Sequence, residues 1–420
     1  MTRKSRGRRL LRRGSLIVVF LGVLGPGLIT ASADNDAQGV TTYAQVGAQQ
    51  GYRLLWLLLI VTFSLAVTQE IGARLGIATG KGLAALIRER FGLRAASWAM
   101  LLLLIANLGT TAAEFAGLAA ALDLLHVSKF VSVPVGAVLV FVLISRGTYR
   151  RVERVFLVLS VIYIVYVVSG LLAHPAWPTA LRNTVMPSFT PTTAFMLAAV
   201  GLVGTTVTPW GQFFIQAYVV DKGLSVGKLN YERADVFIGV LITDFVAFFI
   251  IVATAATLYT HGLRNITSAS QAALALRPLA GRFAAILFGL GLLNASLLSA
   301  CVLPLSTAYP ICEALGFEMG VSRPLREAPI FYGIFAFCIV FGAVVVLLPG
   351  ASLIAILFFS AVLNGVLLAP LLIYLYIIAN DRAIMGEYAN GRFANVLTLA
   401  TIVLLIGLTV VLLAATLHLL

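Results

Sequence analysis

Eleven apolar stretches of about 20 residues or more leave this 420-residue chain little choice but to cross a bilayer repeatedly. They fall near 15–49, 53–77, 95–124, 128–145, 154–173, 192–220, 234–259, 280–312, 328–349, 351–380 and 394–418. Inside lipid every backbone donor and acceptor must be satisfied within the protein, so only helices and closed barrels span. Stretches of this length fit helices. Charged residues make up 11% of the chain, against about 25% in a soluble domain, and mean hydropathy is +1.02. The expectation is an all-α polytopic membrane protein of one membrane domain with eleven transmembrane helices.

The basic residues orient it. With a cytoplasmic N-terminus, all of the 29 Lys and Arg fall in inner segments except Arg53, Lys129, Arg182, Arg264, Arg277 and Arg282. That asymmetry is the positive-inside pattern, and an odd helix number places the C-terminus outside. The net charge of +13 therefore reports topology. Basic residues scattered through short loops exclude a nucleic-acid surface. The tail, residues 1–14, is read as an orientation signal, with contact to anionic headgroups as its secondary use. Its basic start, the apolar run after it and Ala31-Ser32-Ala33 imitate a cleavable signal peptide. Cleavage would put every later loop on the wrong side, so retention is expected. The cell membrane is the expected location. Cys301, Cys312 and Cys338 have no metal-ligand spacing and read as small buried residues.

Two carboxylates interrupt the first apolar stretch at Ala33-Asp34-Asn35-Asp36-Ala37-Gln38-Gly39. An ionisable group at bilayer depth costs on the order of 2.5–3.5 kcal/mol even on mild scales, so it persists mainly for function. The cluster also predicts a helix that stops and restarts, tolerated only where it lines a cavity. A second interruption lies in Gly201-Leu-Val-Gly204-Thr205-Thr206-Val207-Thr208-Pro209-Trp210-Gly211, where proline removes a backbone donor and glycines weaken the helix. The breaks sit in segments 1 and 6, so each opens a set of five helices. Paired interruptions at matching places are the sequence mark of inverted repeats, with the substrate between them near the midplane. The predicted organisation is a first repeat over 15–173, an inverted second repeat over 192–380 and an extra helix over 394–418.

Specific residues then carry a resemblance. Gly25-Pro26-Gly27, Asp36-Ala37-Gln38-Gly39, Gln45-Val46-Gly47-Ala48 and Gly51-Tyr52 resemble the first helix of the NRAMP metal-ion transporter family. Ala73-Arg74-Leu75-Gly76 with Thr79-Gly80-Lys81 is similar to the end of its second helix. Gly204-Thr205-Thr206-Val207-Thr208-Pro209 parallels the family's Gly-Ala-Thr-Val-Met-Pro-His, and Met385-Gly386-Glu387 resembles a later loop. The resemblance implies a LeuT-type fold, a 5+5 inverted repeat with helices 1 and 6 broken, that transports divalent cations as substrate without any cofactor. It carries the metal-site positions onto Asp36, Gly39 and Thr208, with backbone carbonyls at Ala33 and Thr205.

The departures from the family pattern are informative. Its Asp-Pro-Gly-Asn is here Asp36-Ala37-Gln38-Gly39, its methionine is Thr208 and its histidine is Trp210. Thioether sulfur favours softer metals, whereas carboxylate, carbonyl, hydroxyl and water suit Mg2+, Ca2+ and Mn2+. A roomier site with one carboxylate suits partly hydrated Mg2+, which sheds water reluctantly. These departures resemble the family's magnesium-transporting branch, and the expected cargo is Mg2+, with Mn2+ also carried. The family's Asp and Glu pair of helix 3 is here Thr111 and Glu114. His126, His174, His261 and His418 all map to loops or ends, leaving no core imidazole to relay protons. Uncoupled transport by alternating access is expected; a proton-coupled Mn2+/Fe2+ carrier is the alternative.

Other polar groups carry two readings each. Gln38 either faces the ion or caps the broken end. Asp34, two residues from Asp36, points elsewhere on a helix and reads as a vestibule charge on the ion path. Glu114 sits near that path or pairs with a polar partner. Glu70 and Asp244 read as interior pairing groups. Asn364, mid-segment 10, is a ligand or a helix-packing amide. Trp210 reads as a cavity wall. An organic-cation or amino-acid carrier of the same architecture is the rival, although a central Asp36 repels a substrate carboxylate. A channel would need a ring of ligands. No nucleophile–base pair suggests an enzyme, and no protein partner is expected beyond the lipid bilayer.

Overall fold

The computed structural model describes residues 30, 34–146, 160–190, 192–321 and 323–416, and among these the chain is helical throughout, without strand. The principal helices are α1 (Ala37–Gln50), α2 (Leu55–Thr79), α3 (Leu83–Asp123), α4 (Lys129–Ser145), α5 (Ile164–Leu172), α6 (Trp177–Val185) and α7 (Thr193–Thr206). They continue as α8 (Pro209–Asp221), α9 (Leu229–Thr254), α10 (Ala284–Leu315), α11 (Pro329–Leu347), α12 (Leu353–Asn380) and α13 (Arg392–Thr416). Long α3 is the central post, packed against α10, α11 and α12, while α1 lies between α7, α9 and α12.

Eight helices among the described residues are long and apolar enough to cross a membrane, or nine if the bent pair Val161–Leu172 and Trp177–Val185 is one span. Eleven helices are thus not all found. The first predicted segment and the basic tail lie largely outside the described residues, and α4 has only 17 residues. Two further differences have local causes. The third helix starts at Leu83 rather than near 95, because Gly92 (φ 85°) takes a left-handed kink that lets one helix turn from the loop into the span. The polar stretch after segment 5 folds as the nine-residue α6, started by proline in its first turn and bent 115° from the span before it.

The loops gather at two opposite ends, as alternation predicts. At one end Arg90 pairs with Asp381 at 2.7 Å, Arg233 pairs with Glu70 at 2.7 Å, and Arg88 donates to the Ala314 carbonyl at 2.9 Å. Arg74 donates to Asn390 Oδ1 at 2.7 Å and to the Tyr388 carbonyl. At the other end Lys129 donates to the Val346 carbonyl at 2.9 Å, and Trp56 to the Ser188 carbonyl at 3.2 Å. Glu70 is the interior pairing group expected of it, held by both Arg74 and Arg233.

The second break is braced by a backbone-to-backbone crossing. A methyl group on Gly204 would lie 2.1 Å from the Ala361 carbonyl and 2.2 Å from the Gly365 nitrogen, and one on Gly365 would lie 2.5 Å from the Val200 carbonyl. Helices without a hydrophobic drive between them associate through such small-residue contacts. Gly204→Val is therefore expected to lower the yield of folded, monodisperse protein sharply. Overpacking costs typically about 1–3 kcal/mol, more where the neighbour is rigid backbone. Wild-type-like thermal stability in detergent would contradict the crossing.

Candidate cation site

The first helix resumes at Ala37, and Asp36 is what restarts it. Its extended backbone (φ −72°, ψ 178°) and its carboxylate, which accepts from the Gly39 amide at 2.5 Å, make it the N-cap of α1. The second break has the same logic with other residues. Helix α7 ends at Thr206, Val207 and Thr208 are non-helical, and Pro209 opens α8 with its fixed φ and missing donor in the position where neither is a loss. Thr208 is the N-cap of α8 by backbone, yet its hydroxyl does not cap its own helix. It donates across the gap to Asp34 Oδ1 at 3.2 Å.

The two breaks thus face one another, and the two aspartates are sorted between them. Beside Asp36 lie Gly39 and Thr205. A methyl on Gly39 would stand 2.8 Å from the Asp34 carbonyl oxygen, 3.2 Å from Asp36 Oδ1 and 3.6 Å from Thr205 Oγ1. Thr205 Oγ1 is buried and makes no hydrogen bond. Glu114 of α3 joins from the side: its Oε2 accepts from the Ala37 amide at 3.3 Å, and its carboxyl meets that of Asp36 within hydrogen-bonding reach. Two carboxylates make that contact only with a proton or a cation between them. Gly117 permits the approach, since a methyl there would lie 2.3 Å from the Ala37 side chain.

Several expected placements are revised. Asp34 is no vestibule charge; it is fully buried, its Oδ2 accepting from Gln69 Nε2 of α2 at 3.1 Å. Thr208, expected to face Asp36, faces Asp34 because successive aspartates at i and i+2 project to different sides of the break. Asn364 takes the packing role: its amide donates to Thr110 Oγ1 at 2.9 Å, tying α12 to α3. Gln38 is fully buried with neither amide atom hydrogen-bonded, and does not cap the break. Trp210 is a fully buried wall, its ring edge-on to Phe214 at 5.9 Å. Ala33 lies outside the described residues.

Four further side chains at the breaks do not follow from the sequence reading. Gln69 is one, although an amide beside Glu70 in an apolar helix is itself a signal. Tyr163 donates to the Asn35 carbonyl at 2.8 Å, and so satisfies backbone freed by the first break. The hydroxyls of Tyr43 and Thr206 lie 3.0 Å apart and tie the two broken helices together. Among the described residues no three His, Cys, Asp or Glu side chains converge as a closed metal cage. The break offers carboxylate and hydroxyl oxygen, the donor types that hard divalent cations take.

A wholly helical, multi-pass bundle with two interrupted helices meeting at a buried carboxylate site is the LeuT-type membrane fold. The sequence model of the family described as "Natural resistance-associated macrophage protein-like" (Nramp) matches residues 27–415. The chain is 31% identical over 405 residues to the divalent metal cation transporter MntH of Aeromonas hydrophila, covering 94% of this chain and 96% of that protein. It is 29% identical over 407 residues to the MntH of Pectobacterium carotovorum, covering 95% of each. The crystal structure of a manganese transporter mutant from Eremococcus coleocola superposes with a TM-score of 0.74 at 21% identity, over 91% of this chain and 84% of that one. The chain belongs to the Nramp family.

Proposed function

We propose that this protein is a carrier of divalent metal cations that favours partly hydrated Mg2+, also takes Mn2+, and moves them by alternating access without obligatory proton coupling. The observation that carries the reading is the donor set. Both breaks, residues 34–39 and 204–211, contain no sulfur. What they present to Asp36 is the unbonded hydroxyl of Thr205 beside the side-chain-free Gly39. Oxygen donors with room for retained water favour Mg2+ over softer metals. Asp36, Gly39 and Thr205 are the proposed ligand group, with Gln38, Glu114 and Trp210 lining the ion's surroundings. Thr208 acts through Asp34. The N-terminus is proposed to be cytoplasmic, a reading supported by the basic residues gathered at one end.

The absence of coupling rests on what surrounds the ion. Glu114 is the one titratable group of α3 at the break, Thr111 stands a turn before it, and α11 carries no charged residue. A proton-coupled Mn2+ carrier is the second reading. Its metal is favoured by the manganese transporter to which the structure is similar, and its proton by the Asp36–Glu114 contact, which a proton would satisfy. The two separate in proteoliposomes loaded with a pH-sensitive dye. The expected result is saturable Mg2+ entry, inhibited by Mn2+, with no acidification beyond that of protein-free vesicles. Lumenal acidification that scales with ion entry would overturn the uncoupled reading.

A further inference from the structure

The end of the bundle that carries Arg88, Arg90 and Arg233 holds a cavity of ≈ 610 Å3 between α2, α9 and the start of α13. Small-ligand sites span about 300–1,000 Å3. One wall is the Glu70 ion cluster. Glu70 Oε1 accepts from Arg74 Nε at 3.1 Å and from Arg233 Nε at 2.7 Å, so one carboxylate is shared by two guanidinium groups. Arg74 is otherwise spent, its remaining nitrogens donating to the Tyr388 carbonyl and to Asn390 Oδ1. Arg233 is not. Its Nη1 reaches only Asn230 Oδ1, at 3.5 Å, and its Nη2 makes no hydrogen bond. The side chain is 41% exposed, and both Arg233 and Asn230 line the cavity. The terminal edge of this guanidinium is the planar fork that phosphate oxygens take in pairs.

Charge and polarity narrow the ligand. Lys228 and Arg392 adjoin the lining residues Leu229 and Phe393 in the chain. Both are exposed, and neither pairs with an acidic side chain among the described residues. With Glu70 balanced by Arg74, they and Arg233 face one further lining acid, the exposed Glu387. That balance favours an anion without a compensating ammonium group. The other wall is apolar, formed by Val226, Leu229, Phe393 and Ala394. It opens toward lipid: Phe393 is 72% exposed and Val396, further into the span of α13, is 69% exposed. Helix α13 is long and apolar enough to cross a membrane from Arg392 onward, so this wall stands where the chain enters the bilayer. A soluble anion gains nothing from such a wall. A phospholipid matches both halves.

We propose that this cavity binds the phosphate headgroup of an anionic phospholipid from the adjoining leaflet, with the phosphate on the open edge of Arg233 and the head of an acyl chain along Leu229 and Phe393. Basic pockets between membrane helices are suited to such headgroups. Because Arg233 also holds Glu70, the bound lipid joins the ion cluster that ties α9 to α2. The site shares no residue with the two breaks, and the inference does not depend on which ion is carried.

Native mass spectrometry of the full-length protein tests it, in detergent micelles doped with equal amounts of phosphatidylglycerol and phosphatidylcholine. Wild type is expected to retain one phosphatidylglycerol with a preference of about fivefold or more, the worth of one basic residue at a membrane surface. Arg233→Gln is expected to erase the preference. Since that change also breaks the pair with Glu70, Asn230→Asp is the second variant. It sits at an exposed position, spares the pair and sets a carboxylate against Arg233, and it is expected to erase the preference in a protein that still elutes as one species. Equal retention of the two lipids by wild type, or a preference that Asn230→Asp leaves unchanged, would overturn the site. Millimolar glycerol phosphate is expected not to displace the lipid; displacement would assign the cavity to free phosphate esters and overturn the lipid.

Discussion

Asp36→Asn is expected to abolish Mg2+ and Mn2+ uptake while leaving a folded, monodisperse protein. The substitution is chosen because Asp36 has two functions that alanine would remove together. As N-cap it accepts from the Gly39 amide, and asparagine caps about as well as aspartate, whereas alanine would cost about 1 kcal/mol. As the proposed ligand it would supply the negative charge that partly dehydrates a divalent ion, and a neutral amide supplies none. The charge effect is thereby isolated from the structural one. Uptake into proteoliposomes with a metal-sensitive dye reads it. Transport at the wild-type rate by Asp36→Asn would remove the carboxylate from the mechanism.

Thr208→Met is expected to move preference toward Mn2+ and Cd2+ over Mg2+ by on the order of tenfold, equivalent to ~1.4 kcal/mol. A thioether at the N-cap of α8 introduces the one soft donor that the breaks lack. The same change removes the hydroxyl that Asp34 Oδ1 accepts from at 3.2 Å, leaving that carboxylate held by Gln69 alone. Thr208→Val separates the effects, since it loses the hydroxyl without gaining sulfur. Competition of Cd2+ against Mg2+ uptake in the two variants gives the answer. An equal ratio in Thr208→Met and wild type would mean that a thioether at this position does not reach the ion.

Much of this was legible in the chain because it depends on local chemistry. Asp36 restarts a helix in any context, Pro209 opens one, and their five-segment separation follows from counting apolar stretches. The fold class and the residues of the breaks follow from that. What escaped was set by packing between distant segments. Asp34 and Asp36 were separable by direction, but the partner that decides Asp34's role, Gln69, comes from another helix 35 residues on. Asn364 carries two roles equally well in the sequence, and the hydroxyl that takes its amide, Thr110, lies 254 residues away. The kink at Gly92 and the bent α6 escaped for a different reason. Short amphipathic turns at the membrane edge carry no periodicity long enough to stand out from loop.

The Asp36–Glu114 contact links structure to mechanism most tightly. Asp36 reaches Glu114 only because Gly117 lets α3 close on the N-terminus of α1. At the proposed site an ion would meet one carboxyl aligned by its own helix amide and a second aligned by the Ala37 amide. Both are pre-positioned, so binding costs little reorganisation. On the proposed reading, Thr205 and Gly39 would leave the remaining coordination positions to water, which favours Mg2+ over a metal that must be stripped.

Isothermal titration of the purified wild-type protein with Mg2+, set against Mn2+, tests the central claim most directly. An oxygen-only, water-retaining site at Asp36 predicts saturable Mg2+ binding that Mn2+ competes away and that Asp36→Asn eliminates. Mn2+ binding with no measurable Mg2+ binding under the same conditions would contradict it.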